Sequence, residues 1–285
     1  MPTKTRNLAG VLLSYKAENI LFDVGEGTQR QLKIAGVKPG KVTKILISHW
    51  HGDHVLGLPG LLQTFMASQY HGTLEIYGPR GSKKYFENMM KGFAVKEIVE
   101  YKLKEVGSGK FFETNDFYLE ALPMKHGAPC LGFAFVEKER RRIDMKKAKK
   151  LGLIEGPLLG KLQKGQTITL KGKKIKPDEV SDVVEGKKIV YVTDTEPCDN
   201  IVKLAKGADL LIMEATYSSQ LQEKAEEYGH LTAKEAGMLA NQAGVKKLIL
   251  THFSQRYKNV KELEEDARQV FDDTEAAEDF MKVRL

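Results

Sequence analysis

Cysteine is scarce: Cys130 and Cys198 are the only two among 285 residues. That number does not suggest a disulfide framework, and neither has a partner at ligand spacing, so both are expected to be buried or inert in a reducing cytoplasm. Long apolar runs are missing as well. None approaches the roughly 20 residues needed to span a bilayer, so no membrane association is expected. The opening residues, MPTKTRN, lack the apolar stretch that a secretion signal requires. There is no Ser- or Pro-rich linker, no low-complexity tract and no repeat. The G-x-G formed by Gly25 and Gly27 lacks the third glycine of a dinucleotide loop, so no nucleotide cofactor is expected. What is present is a 41% hydrophobic chain, long enough to bury a sizeable core as one large domain or two small ones.

Histidine is concentrated. The stretch SHWHGDH, Ser48 to His54, holds three of the chain's seven histidines and an aspartate, directly after the apolar run KVTKILI. One histidine at a strand end is ordinarily a hydrogen-bonded structural residue. Three beside an aspartate reverse that expectation. Side chains two apart in an extended segment point the same way, so His49 and His51 can offer imidazole nitrogens to one ion. Asp53 and His54 follow on the next turn, placed for a second. Nitrogen with some carboxylate suits zinc best, and iron or manganese less well. Two ions need more ligands than one loop supplies, so other apolar strands should also end in His or Asp. FYLEALPMKH ends in His126, KKIVYVTD in Asp194 and KKLILTH in His252. Taken singly each reads as structural, since Asp after a strand often caps a turn. Together, at one face of a sheet, they make a site.

Positive charge is also concentrated. Between Glu137 and Lys174 there are thirteen Lys or Arg against four acids, more excess than the whole chain's net charge of +7. Such a run is often only a solvated face. This one lies between His126 and Asp194 and contains Gly152, Gly156, Pro157, Gly160 and Gly165, which favour turns over a continuous helix. A basic insertion beside a metal site suits a polyanion, because neutralising phosphates releases counterions. Helical periodicity is clearest over Leu231 to Ala243, where Thr232 and Glu235 form the capping box T-A-K-E and Gly244 ends the pattern. His230 therefore precedes a helix N-terminus, where an anion is favoured.

These motifs, with PTKTRN (Pro2 to Asn7), LFDVGEGTQ (Leu21 to Gln29), HGDHVLGLPGLL (His51 to Leu62), YGP (Tyr77 to Pro79), EAT (Glu214 to Thr216) and the His230 to Thr232 loop, resemble ribonuclease Z of the metallo-β-lactamase superfamily. The resemblance runs from Pro2 to the C-terminus. It implies an α/β fold, a four-layer αβ/βα sandwich formed by residues 1–285 as a single catalytic domain, with residues 137–174 as an inserted basic arm that clamps tRNA. It also implies two zinc ions per subunit, with manganese as the alternative, held by His49, His51 and His126 on one side and Asp53, His54 and His252 on the other, Asp194 bridging. Asp53 is implied as the residue that orients or deprotonates the attacking water, and His230, paired with Glu214, as the group acting on the leaving oxygen. Lys4, Arg6, Thr232, Lys161 and Lys164 are implied as substrate contacts, and Asp23 as a hydrogen-bonding organiser of the metal loops. The reaction implied is removal of the 3′ trailer from precursor tRNA by a cytoplasmic homodimer, leaving a 3′-hydroxyl on the tRNA and a 5′-phosphate on the trailer.

Two departures from the family pattern bear on this. Met213 stands where members often have His before Glu214. The sequence opens directly at the PxKxRN loop, where members normally have a strand before it; a start assigned too far downstream, a truncation or a real loss of the strand would each give this, and a missing strand is expected to leave a neighbouring edge unpaired. Rival readings are a small or cyclic phosphodiesterase of the same superfamily, a thioester or lactone hydrolase, and an RNA-binding scaffold without catalysis. The first shares the chemistry, the second has no use for a basic arm, and the third usually shows eroded ligands.

Overall fold

The computed structural model describes residues 2–94 and 99–285. Its first unit opens with strands β1 (Val11–Tyr15) and β2 (Glu18–Phe22), then α1 (Thr28–Ile34), β3 (Lys44–Leu46), the single turn α2 (Gly52–Val55), α3 (Leu58–Ala67), β4 (Leu74–Gly78), α4 (Ser82–Lys91) and β5 (Tyr101–Glu105). These strands make one sheet in sequential order. β1 and β2 form an antiparallel hairpin, and β2, β3, β4 and β5 run parallel. β3 is buried throughout and β2 and β4 mostly so, as inner strands covered on both faces should be, whereas the edge strand β5 (YKLKE) is largely exposed. On one face Leu21, Ile45 and Ile76 pack with Leu58, Leu62 and Phe65 of α3, Leu32 of α1 and Phe86 of α4.

Next come β6 (Gly109–Glu113), β7 (Phe117–Met124) and β8 (Cys130–Glu137). The chain then forms β9 (Arg140–Ile143), α5 (Met145–Lys150), α6 (Pro157–Gln163), β10 (Ile168–Leu170), β11 (Lys173–Ile175) and β12 (Ser181–Val184). It completes the first unit with β13 (Lys188–Val192), α7 (Asp199–Ala205), β14 (Leu210–Glu214), α8 (Gln222–Tyr228), α9 (Ala233–Ala243), β15 (Leu248–Thr251), α10 (Lys261–Arg268) and β16 (Thr274–Ala276). The second sheet has the order β16-β15-β14-β13-β8-β7-β6, and β13 to β16 are parallel. Between the two sheets Phe22 meets Tyr191 at 5.3 Å and Phe133 at 6.3 Å between ring centroids, so aromatic rings fill the middle of the sandwich. Helix α9 begins where the capping box predicts: Thr232 Oγ1 accepts from Glu235 N, Glu235 accepts from Thr232 N, and Gly244 closes the helix at φ 63°.

The second compact unit comprises residues 112–118 and 136–187. It has its own small core of Ala148, Leu153, Leu159, Leu162, Ile168, Ile175 and Val180. β9 pairs with β12, and β10 with β11 through a two-residue turn at Lys171 (φ 47°) and Gly172 (φ 80°), the positive-φ geometry of a tight hairpin. Asp144 caps α5 by accepting from Lys146 N and Lys147 N. The basic segment 137–174 lies inside this unit, which continues to Lys187 because Ile175 and Val180 belong to the same core.

Candidate active site

Four apolar strands deliver the ligand groups to one edge of the first unit. The chain leaves β3 through Ile47 and Ser48 to His49 and His51, and turns into α2, which carries Asp53 and His54. His126 follows β7, Asp194 follows β13 and His252 follows β15. Ligand atoms of His49, His51, His126 and Asp194 all lie within 4.8 Å of one another, as do those of Asp53, His54 and His252. Asp194 stands between the two groups. Its Oδ2 is 3.6 Å from His49 Nε2, and its Oδ1 is 3.4 Å from His54 Nε2 and 3.2 Å from His252 Nε2. Asp53 Oδ2 is 3.3 Å from His252 Nε2 and 3.6 Å from His54 Nε2. The structure therefore brings all seven residues together in two sets that share one carboxylate.

The arrangement fits metal ions better than it fits a self-contained hydrogen-bond network. His49 Nε2 and His54 Nε2 are buried and, among the described residues, have no hydrogen-bond partner. Buried ring nitrogens are ordinarily paired, so orphans aimed into a cluster of carboxylates are ligand atoms by their chemistry. The opposite nitrogens are each held. His49 Nδ1 meets Ser48 Oγ at 3.0 Å, His54 Nδ1 meets Asp23 Oδ2 at 2.8 Å, His126 Nδ1 meets the Gly229 carbonyl at 3.3 Å and His252 Nδ1 meets Thr216 Oγ1 at 3.1 Å. Fixing one nitrogen sets the tautomer and turns the other inward. Asp23 is the hub of this support, as expected. Wholly buried, it accepts from Ser48 N at 2.7 Å, Ser48 Oγ at 2.8 Å and Tyr191 Oη at 2.9 Å, besides holding His54.

Backbone geometry marks the same place. Asp23 (φ 56°), Asp194 (φ 35°) and His252 (φ 56°) all have left-handed backbone, which is rare without glycine and concentrates where surrounding structure enforces it. Two glycines of the family motifs allow the loops to touch. A Cβ on Gly57 would sit 2.1 Å from Gly25 O, and one on Gly25 would sit 2.6 Å from Asp53 O.

Electrostatics follows from burial and pairing. Burial, with the charge of His54, pushes His49 down to about 3, which keeps its imidazole neutral and able to ligate. Burial works against an ionised Asp194, but His252 and His54 hold its carboxyl well below the usual range. Glu214, wholly buried at the end of β14, accepts from Thr195 N at 2.6 Å and Thr216 Oγ1 at 2.7 Å. Both its oxygens lie 3.1 Å from His230 Nδ1. Burial disfavours a charged His230, yet Glu214 more than offsets this and raises it to about 9. A ring nitrogen of His230 lies within 4.8 Å of ligand atoms of Asp194 and His252. With Nδ1 committed to Glu214, Nε2 is the nitrogen left to act.

The expected substrate contacts divide. Lys4 is exposed, and so are Lys161 and Lys164 in the second unit. Arg6 is turned inward instead: its guanidinium donates to Tyr257 O at 2.7 Å and to Ser254 O at 3.1 Å, so it fastens the N-terminal loop to the loop after His252. Thr232 is a correction. It is 1% exposed and its hydroxyl is engaged with Glu235, so it caps α9 and has no face for substrate. Ser48, Thr216 and Tyr191 also support the ligands, a role that sequence reasoning misses. Their one sequence signal is position, a polar group within or just after an apolar strand run.

Residues 9–134 match the model of the metallo-beta-lactamase superfamily, and residues 167–253 that of a beta-lactamase superfamily domain. Ribonuclease Z of Methanothermobacter thermautotrophicus is 43% identical over 287 residues, covering 100% of this chain and 93% of that protein. Ribonuclease Z of Bacillus licheniformis is 40% identical, covering 98% of this chain and 94% of that protein. The crystal structure of the short form of human tRNase Z superposes with a TM-score of 0.70 at 32% identity, over 98% of this chain and 93% of that one. The chain thus belongs to the ribonuclease Z family of metal-dependent hydrolases, within the metallo-β-lactamase superfamily.

Proposed function

We propose that the chain is a zinc-dependent endoribonuclease that removes the 3′ trailer from precursor tRNA. The observation that carries this reading is the division of Asp194's two oxygens between two His/Asp sets, the donor pattern of a paired-ion phosphodiesterase. Nitrogen with carboxylate oxygen favours zinc, and manganese is the alternative. Family relatives named ribonuclease Z and tRNase Z support the substrate. So does the second unit, whose excess of Lys and Arg supplies sequence-independent phosphate affinity.

His49, His51 and His126 on one side and Asp53, His54 and His252 on the other, with Asp194 between, would hold divalent ions, which would supply Lewis-acid charge at the phosphoryl oxygens and lower the pKa of water from about 15.7 towards neutrality. The chain's own residues do the rest. Asp53, the less buried carboxylate of the two sets at 28% side-chain exposure, orients the attacking water or deprotonates it. Attack at phosphorus breaks its bond to the 3′ oxygen of the last tRNA nucleotide. His230, held by Glu214 through Nδ1, gives that oxygen a proton from Nε2. The products are a tRNA with a 3′-hydroxyl and a trailer with a 5′-phosphate.

End-group analysis of the cleaved precursor tests this. A 5′-phosphate on the trailer supports attack by water, whereas a 2′,3′-cyclic phosphate on the tRNA would mean attack by the ribose and would overturn the roles given to Asp53 and His230. We further propose a cytoplasmic homodimer in which one subunit's basic unit grips tRNA cut by the other. Sedimentation equilibrium checks it, and a monomer at micromolar concentration contradicts it.

A further inference from the structure

The N-terminal loop is built rather than draped. Thr3 closes it into a turn, with Thr3 N donating to Arg6 O at 3.0 Å and Arg6 N to Thr3 Oγ1 at 2.9 Å. The inward-turned Arg6 fixes one side to the Ser254 and Tyr257 carbonyls. Further along, Gly25 N donates to Ala9 O at 2.8 Å, and a Cβ on Gly25 would lie 2.6 Å from both Leu8 Cβ and Asp53 O. Residues 8 and 9 are therefore separated from the Asp53 backbone by a single glycine. The loop lies against the site and shows solvent one cation, Lys4, which makes no hydrogen bond or ion pair among the described residues.

The other side of the loop is fixed from the far end of the sequence. Asn7 N lies 3.2 and 3.1 Å from the two oxygens of Asp279, and Gln31 Nε2 of α1 donates to Asp279 Oδ2 at 3.0 Å. Asn7 Nδ2 reaches Glu26 O at 3.4 Å. One carboxylate thus collects the loop and α1, and Ala277 N, just ahead of it, donates to Leu250 O of β15 at 2.8 Å. Asp279 is exposed and has no part in the metal cluster, so neither burial nor ligation accounts for this convergence.

We propose that Asp279 is a positioning residue for substrate: its carboxylate holds the 2–9 loop so that Lys4 is presented beside the metal site to a phosphate of the RNA. The inference rests on the precursor-tRNA reading above. A carboxylate accepting from a backbone amide and a side-chain amide restrains the loop, and a lysine whose backbone is already in place before binding loses less freedom when its ammonium meets the phosphate.

The test is a double-mutant cycle on the metal-replete protein, with a 3′-extended precursor tRNA and bis-nitrophenyl phosphate as the two substrates. Asp279→Ala is expected to raise KM for the precursor by about three- to tenfold, with kcat on the small diester unchanged. Asp279→Asn keeps one acceptor oxygen and should fall between. Lys4→Ala should raise KM for the precursor in the wild-type background and add little on top of Asp279→Ala. Fully additive effects would show that Asp279 does not act through Lys4, and an equal loss on both substrates would show damage to the metal site; either overturns the inference while leaving the tRNA reading intact. A wild-type protein that hydrolyses the diester but leaves the precursor uncut overturns both.

Discussion

Asp23 and Tyr191 stand 168 positions apart in the chain and meet at 2.9 Å, the phenol donating to a carboxylate that also holds His54. Burial and Asp23 together keep that phenol protonated, well above its usual range. A buried carboxylate shared among a tyrosine, a serine and a metal-site histidine is where the two sheets and the metal loop are made rigid relative to one another. Asp23→Asn keeps the shape and removes the charge, and is expected to weaken metal binding by about 10- to 100-fold. Competition with a chelator of known affinity measures it. Tyr191→Phe removes one of four donors and should show a smaller drop in the same assay.

His230 presents two readings that separate cleanly. As proton donor, its replacement by Ala should lower kcat by about 10²- to 10⁴-fold while metal content stays constant. As a ligand, which its closeness to Asp194 and His252 would permit, its loss should deplete metal. Metal analysis of His230→Ala beside its kcat decides, and retained metal with reduced kcat is the expected result.

Charge in the second unit should appear in the salt dependence. Replacing Lys161 and Lys164 with Ala is expected to reduce the slope of log affinity for precursor tRNA against log salt by about 1 for each phosphate no longer neutralised. Binding titrations between low and physiological salt measure the slope. An unchanged slope would assign these lysines to a merely solvated face.

Acid stability has a source away from the site. Lys44 is buried, with its Nζ 2.8 Å from Glu18 and 3.3 Å from Glu75. Burial works against the Glu18 charge, but hydrogen bonds from Lys44 and Thr43 and the Lys44 charge bring its pKa below the ordinary 4.5. A carboxyl with a lower pKa when folded contributes stability that is present above its unfolded pKa and lost as pH falls through the folded one. Melting temperature should therefore decline as pH drops below about 4.5, and Glu18→Gln should decline less steeply.

Much of the site was legible because it obeys a local rule: each ligand is a histidine or aspartate placed just after an apolar run. The same holds for α9, whose cap, apolar face and terminal glycine are all contiguous. What was not legible depends on pairings distant in sequence. Nothing in PTKTRN says that Arg6 faces inward, because its acceptors are carbonyls some 250 positions later. Thr232 reads equally as a cap and as a surface hydroxyl until its burial is seen. The second unit recruits residues 112–118 through hydrogen bonds such as Lys138 Nζ to Thr114 O at 2.7 Å, which no composition window contains. The left-handed backbone at Asp23, Asp194 and His252 is only faintly marked in the sequence: aspartate and histidine adopt it more readily than other residues with a side chain, but it is the loops converging there that impose it.

The most direct measurement is cleavage of a 3′-extended precursor tRNA by metal-replete protein, with Asp53→Ala run beside it. The expected result is one cut at the 3′ end of the tRNA body, lost in the variant although the variant still binds the RNA. Hydrolysis of a small phosphodiester with the precursor left intact would contradict the account and favour a small-substrate phosphodiesterase on the same metal site.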